Sequence, residues 1–258
     1  MARATDATEE IAEGVRVHQL RVLRATPSAF RNLIPTLRRL ERELAAQAAT
    51  LNTRDRRGRP LGTSFQRARI RKLQDAVRPI LLEDYNTIAR TSASDVFSFA
   101  RSTNVATAEI VSPAIAALDF RGTSAWAALD DGLLRELSTE SLIQGNVQAD
   151  WWRGQRRNLQ TRFMTEMRLG MIRGDTPTML ARRIRGGTID GIVQPGIMKG
   201  ARIDAERLSR TSIQTVVNNT RARQYKENAD VLEGETHIST FDDRTTIQCI
   251  ARDGLRWN

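Results

Sequence analysis

The feature that most constrains this chain is an apolar stripe at helical spacing. Phe30, Leu33, Leu37, Leu40, Leu44, Ala48 and Leu51 recur at steps of three and four, with Arg31, Arg38, Arg39 and Arg42 between them. A strand would need alternation by two, so this spacing dictates an amphipathic helix with a basic outer side. Ser28 is the expected N-cap, with Asn52 and Thr53 at the far end. An earlier helix is expected over about Thr8–Arg24, ending before Thr26-Pro27. Aromatics make up only 5% of the 258 residues against 40% hydrophobic overall, so the cores must be built mostly from aliphatic side chains, which suits packed helices.

Further along, Ile70, Leu73, Val77, Leu81, Tyr85 and Ile88 give a second stripe, and Pro79 inside it is expected to kink or divide the helix. Ser92 or Ser94 should cap another helix running to about Val111, with Ser112-Pro113 as its stop. Trp126, Leu129, Leu133 and Leu137 read as a further helical face, with Trp126 as a core anchor. Of the pair Trp151-Trp152, one side chain should pack inward and the other lie at the surface. Phe163, Met167, Met171 and Ile172 form an apolar face ending at Gly174. Asp175 or Thr176 then caps a short helix with Pro177 in its first turn and Met179, Leu180 and Ile184 inward. The Gly-rich stretch from Gly186 to Gly200 reads as a loop or hairpin, residues 201–228 as a long helix, and Thr236–Phe241 as a strand. The fold class expected is mainly α: a helical region over 1–145, followed by a small α+β domain over 146–258 with a short sheet or hairpin.

The net charge is +10, and 37 of the 40 basic residues are Arg. Codon bias accounts for much of the Arg:Lys ratio; the charge itself still favours anionic partners. It is uneven, at +5 over residues 51–100, −4 over 101–150, +7 over 151–200 and zero over 201–258. Arg54, Arg56, Arg57 and Arg59 crowd one Gly- and Pro-containing loop, Arg153, Arg156 and Arg157 follow the paired Trp, and Arg182, Arg183 and Arg185 close the short helix. These ten are candidate contacts to DNA or to an acidic partner, against the plainer reading of solvated helix faces.

Catalytic patterns are thin. His18 and His237 are the only histidines, neither lies near a Gly-x-Ser-x-Gly elbow, and a phosphate-cradling loop is absent because Lys199 precedes Gly200. His237 with Asp242 and Asp243 is a weak metal-nuclease pattern; turn-forming carboxylates are the plainer account. The lone Cys249 allows no intrachain disulfide and reads as a small buried hydrophobe. Ile247, Ile250 and Ala251 should face inward on a last short helix, with Asp253-Gly254 making a tight reversal. No catalytic residue, cofactor or metal is expected. No run approaches the ~20 apolar residues of a membrane helix, and the polar start MARATDATEEIAEG is unlike a secretory signal.

One constellation goes further. Arg210-Thr211 and Asn218-Asn219 sit on a helix that leads to a short strand, then Asp242, Arg244, Thr245, Cys249, Asp253 and Gly254. With the helical run Met167–Gly186, this order resembles the phage Mu protein F-like domain of minor head (head morphogenesis) proteins of tailed bacteriophages, over about residues 150–258. Thr246 stands where that family often has its first Cys, and Ser212 where an acidic residue commonly follows Arg-Thr. The resemblance implies a non-enzymatic virion component inside the capsid near the portal vertex. Its partners would be the portal protein, capsid or scaffold protein, and packaged double-stranded DNA, with several copies around the portal ring and a role in packaging or ejection. The alternatives are a sequence-specific DNA-binding regulator or recombinase-like protein and, further back, a metal-dependent nuclease.

Overall fold

The computed structural model describes the chain apart from residues 1, 52, 56, 59–61, 118–125, 190, 233, 237–238, 240–245 and 258. Seven α-helices are described: α1 (Ala2–Ala49), α2 (Thr63–Ala117), α3 (Asp131–Glu140), α4 (Gln148–Arg173), α5 (Pro177–Arg185), α6 (Ile197–Glu227) and α7 (Ile247–Arg252). Two small antiparallel sheets complete the fold: a hairpin of β1 (Gly187–Ile189) with β2 (Ile192–Gln194), and β3 (Glu235–Thr236) paired with β4 (Arg256–Trp257). The molecule is mainly α, as its periodicity implies, with a little β structure toward its end.

Contacts divide the chain into two compact units. Unit 1 comprises residues 1–27, 94–143 and 211–258; unit 2 comprises 28–93 and 144–210. Neither is a contiguous half, and α1, α2 and α6 each contribute residues to both. One crossing, between Ile143 and Gln144, falls beside the division expected near residue 145. Residues 150–258 are themselves split, at Arg210–Thr211.

The expected helix breaks are absent. α1 runs through Pro27, so Ser28 is not an N-cap, and α2 runs through Pro79, Ser92, Ser94 and Pro113. Each proline removes one helical N–H and crowds a carbonyl, at a cost of about 3 kcal/mol. The buried register continues across them: Val22, Thr26, Ala29 and Leu33 in α1; Ile70, Leu73, Val77, Leu81, Ile88, Ser92, Val96, Ala100 and Thr103 in α2. Breaking either helix would withdraw several such side chains, worth about 1.5–3 kcal/mol each when apolar. The Thr26 hydroxyl donates to the Val22 carbonyl at 2.8 Å, so its buried oxygen is satisfied within the helix.

In unit 2, α4 ends at Gly174, whose left-handed backbone (φ 69°) lets Asp175 N–H reach back to Gly170 O at 2.8 Å. Thr176 then caps α5 by accepting from Met179 N–H, with Pro177 in the first turn. Trp152 is buried and Trp151 half-exposed, dividing the pair as expected. Phe163, Met167 and Met171 are buried, but Ile172 is 69% exposed and leaves the apolar face. The β1–β2 hairpin is rooted where Gly196 meets Gly186: a Cβ on Gly196 would lie 2.3 Å from Gly186 N.

In unit 1, the expected helix through Trp126 and Leu129 starts only at Asp131, capped by Asp130. Two buried asparagines hold the preceding chain extended. Asn104 receives Leu129 N–H (3.0 Å) and donates to Leu129 O (2.9 Å); Asn228 does the same at Ala127 (2.7 and 3.0 Å). A side-chain amide satisfies a backbone N–H and C=O together, as a β-ladder would. Trp126 still anchors the core, edge-on to Tyr225.

The last turn of the chain also differs from expectation. Thr246 caps α7, its hydroxyl accepting from Cys249 N–H. Ile247, Ile250 and Ala251 face outward, Ile247 being 84% exposed, because a six-residue helix has too little length to bury a face. Asp253-Gly254 makes the reversal into β4.

Candidate nucleic-acid interface

Assigning each residue to its unit separates the charge of the chain. Unit 2 carries 27 Lys and Arg against 12 Asp and Glu; unit 1 carries 13 against 18. The net +10 is therefore +15 in one unit and −5 in the other. Linear blocks hide this, because each unit gathers separate stretches of chain.

On unit 2, Arg67, Arg71, Lys72 and Arg78 stand exposed on the outer side of α2, while Ile70, Leu73 and Val77 between them are buried. None of the four has a carboxylate partner among the described residues. Arg157, Arg168 and Arg173 are similarly exposed on α4, and Arg185 at the end of α5. Sequence reasoning missed the α2 group, although its signal was present: Arg67, Arg71 and Arg78 are spaced by four and seven, the helical phase opposite the apolar stripe.

The arginines singled out from sequence separate into classes. Arg57, Arg157 and Arg185 are exposed, and Arg156 is half-buried. Arg153 pairs with Asp150. Arg182 braces the hairpin, donating to Thr188 O at 3.0 Å. Arg54 donates to Gly174 O at 2.9 Å and to Gly58 O at 3.2 Å, which ties the loop after α1 to the α4–α5 turn. Thr53 assists, its buried hydroxyl donating to Asp175 O at 2.6 Å. Arg183 is not on the surface: it is buried and donates to Asp175 at 2.6 Å and Glu166 at 2.7 Å. It neutralises an interior carboxylate and is withdrawn from any phosphate. Arg56 and Arg59 lie outside the described residues.

Of the motif residues that are described, Asp253, Cys249 and Gly254 make local structural contacts or turns. Asp253 accepts from Ser239 N–H at 2.7 Å and lies 3.7 Å from Arg16; the Ser239 hydroxyl donates to Cys249 O at 2.7 Å. Gly254 adopts φ 79° in the reversal. Cys249 is not buried. Its thiol accepts from the Thr246 hydroxyl at 3.2 Å, which holds its pKa below the usual thiol range, helped by the Thr246–Cys249 backbone contact. Arg210 is exposed and pairs with Glu206, Thr211 is half-buried, Asn218 is exposed, and Asn219 donates to Ser141. Asp242, Arg244 and Thr245 lie outside the described residues, as do His237 and Asp243. Among the described residues no group of His, Cys, Asp and Glu is arranged to hold a metal ion.

Unit 1 holds a buried polar layer that sequence reasoning did not foresee. His18 Nε2 lies 3.3 Å from the Thr103 hydroxyl. Burial, reinforced by Arg221 and Arg21, lowers the imidazole pKa to about 4. Arg221 is about nine-tenths buried and donates to Gln19 at 2.6 Å; burial lowers its pKa too. Gln19 also donates to Gln214 at 2.9 Å, and Gln224 to Asn104 O at 3.0 Å. The signal was register: 217, 221, 224 and 228 continue the buried side of α6. No family model, curated protein or solved structure matches this chain.

Proposed function

We propose that the protein is a non-enzymatic structural component of a tailed-bacteriophage head, docked at the portal inside the capsid, with its basic unit against packaged double-stranded DNA. The observation that carries the DNA contact is the segregation of charge, +15 in unit 2 against −5 in unit 1. Exposed arginines without carboxylate partners attract phosphate regardless of base sequence. An acidic unit is repelled by the same polymer and remains for protein contacts. The portal setting rests on the resemblance of residues 150–258 to Mu F-like domains. The roles of Asp253 and Gly254 in bracing and turning the chain support an architectural reading of that motif.

The experiment is duplex binding at several salt concentrations with unrelated sequences. Equal affinities and a steep salt dependence are expected. The Arg67→Glu/Arg71→Glu/Arg78→Glu variant should reduce the slope by about 0.9 for each phosphate it no longer neutralises. A strong preference for one sequence would favour a regulator instead. Co-purification with the portal protein is the matching test for location, and absence from purified virions would remove the proposal.

A further inference from the structure

We infer that a groove between α1 and α2 in unit 1 accepts arginine side chains from the basic unit of a second copy of this chain, joining copies head to tail. The groove has a volume of about 440 Å³. Glu10 and Glu13 on α1 and Glu109 on α2 line it, with Arg21 as the single cation. Glu10 and Glu109 have no ion-pair partner among the described residues, and Glu13 is 3.7 Å from Arg16. Apart from His18, the remaining lining is small or apolar, including Gly14, Ala106 and Ile110. A Cβ on Gly14 would come 2.7 Å from Ile110 Cγ2, so this shape depends on glycine.

A second feature points to a donor-rich occupant. His18 also lines the groove and is only 6% exposed. With Nε2 at the Thr103 hydroxyl, Nδ1 has no partner among the described residues. In the tautomer whose Nε2–H donates to the Thr103 hydroxyl, the neutral ring presents Nδ1 as a hydrogen-bond acceptor and adds no positive charge. Carboxylates at the rim, an apolar wall for a methylene stem and a buried acceptor together suit a guanidinium, which carries five donors and accepts nothing.

Charge complementarity selects a second copy as the occupant. Unit 2 presents Arg67, Arg71 and Arg78 exposed and without carboxylate partners among the described residues, and its excess of 15 positive charges dwarfs what the groove needs. The donor and acceptor are different groups of residues, so unless two copies engage each other reciprocally the contact is heterologous and builds a ring or an open chain. This rests on the reading of unit 2 as a surface that seeks anions.

Sedimentation velocity on the full, nucleic-acid-free chain tests it. At about 0.05 M salt the wild type should grow with concentration past a dimer, and about 0.5 M salt should return it to monomer. Glu10→Arg/Glu109→Arg should remain monomeric with unchanged thermal unfolding, and Glu10→Gln/Glu109→Gln should associate at least tenfold more weakly. Mixed with wild type, the charge-reversed chain still presents its arginines, so it should cap growing chains and shrink the mean assembly. Duplex DNA should compete with association while binding the charge-reversed chain as it binds wild type. A wild type that stays monomeric at low salt overturns the inference, even if it binds oligoarginine, and so does association that survives charge reversal. Association that responds to charge reversal but is indifferent to duplex supports the inference and counts against the proposed DNA contact alone.

Discussion

Single residues in the polar layer of unit 1 carry opposite kinds of risk. His18 has its pKa depressed from 6.5 to about 4 by burial and by Arg221 and Arg21. A depressed histidine stabilises the fold fully above its unfolded pKa and loses that contribution as pH falls toward the folded one. Unfolding free energy should therefore drop between pH 6.5 and about 4. The drop should be on the order of 2 kcal/mol, after allowing for screening by water in the adjoining groove. Denaturant titrations at three pH values, on wild type and His18→Gln, check this; the variant should lose most of the slope. Asn228 donates to Ala127 O and Gln224 O and accepts from Ala127 N–H. Asn228→Ala leaves those groups without their partner, the Gln224 carbonyl bond being the buried one, and should cost about 1–2 kcal/mol, measured as a lower denaturation midpoint with an unchanged m-value.

At the scale of elements, the prolines give a direct test. Pro79 is exposed and lies inside an unbroken α2. Pro79→Ala should stabilise the protein by about 1–2 kcal/mol, the helical gain being partly offset by a freer unfolded chain. A neutral or destabilising outcome in thermal unfolding would indicate a helix divided there. Gly196→Ala should destabilise by about 2 kcal/mol or more, since a left-handed residue would gain a Cβ against the Gly186 and Ile184 backbone. These two positions also mark what was legible in the sequence. Helix type was readable because the apolar spacing is local. Helix limits were not, because a proline's cost is local while the burial that outweighs it comes from elsewhere in the chain. The extended run at Trp126–Leu129 was invisible for the same reason: its partners are Asn104 and Asn228, many residues away. In Arg182-Arg183-Arg185 the sequence showed charge but not destination; helical phase and Asp175 send Arg183 inside and leave Arg185 out. Within the candidate site, the exposed α2 cations were readable by phase, while the opposed charges of the two units were not, because each unit is assembled from distant stretches.

Over the whole molecule, a unit with 15 excess positive charges works against its own compactness. At protein concentrations too dilute for self-association, raising salt from about 0.05 to about 0.5 M should raise the calorimetric midpoint, because screening shortens the range of that repulsion. Arg67→Glu/Arg71→Glu/Arg78→Glu should be more stable than wild type at low salt and converge with it at high salt. The interleaving of the chain has a different kind of consequence. Every stretch belonging to unit 2 precedes Thr211, whereas unit 1 also requires residues 211–258. During synthesis the cationic body can therefore finish while its anionic counterpart still waits for the last strip to leave the ribosome. A nascent chain with Arg210 just clear of the ribosome would hold all of the basic unit and an unfinished acidic one, so the two bodies are completed in a fixed order, the cationic one first.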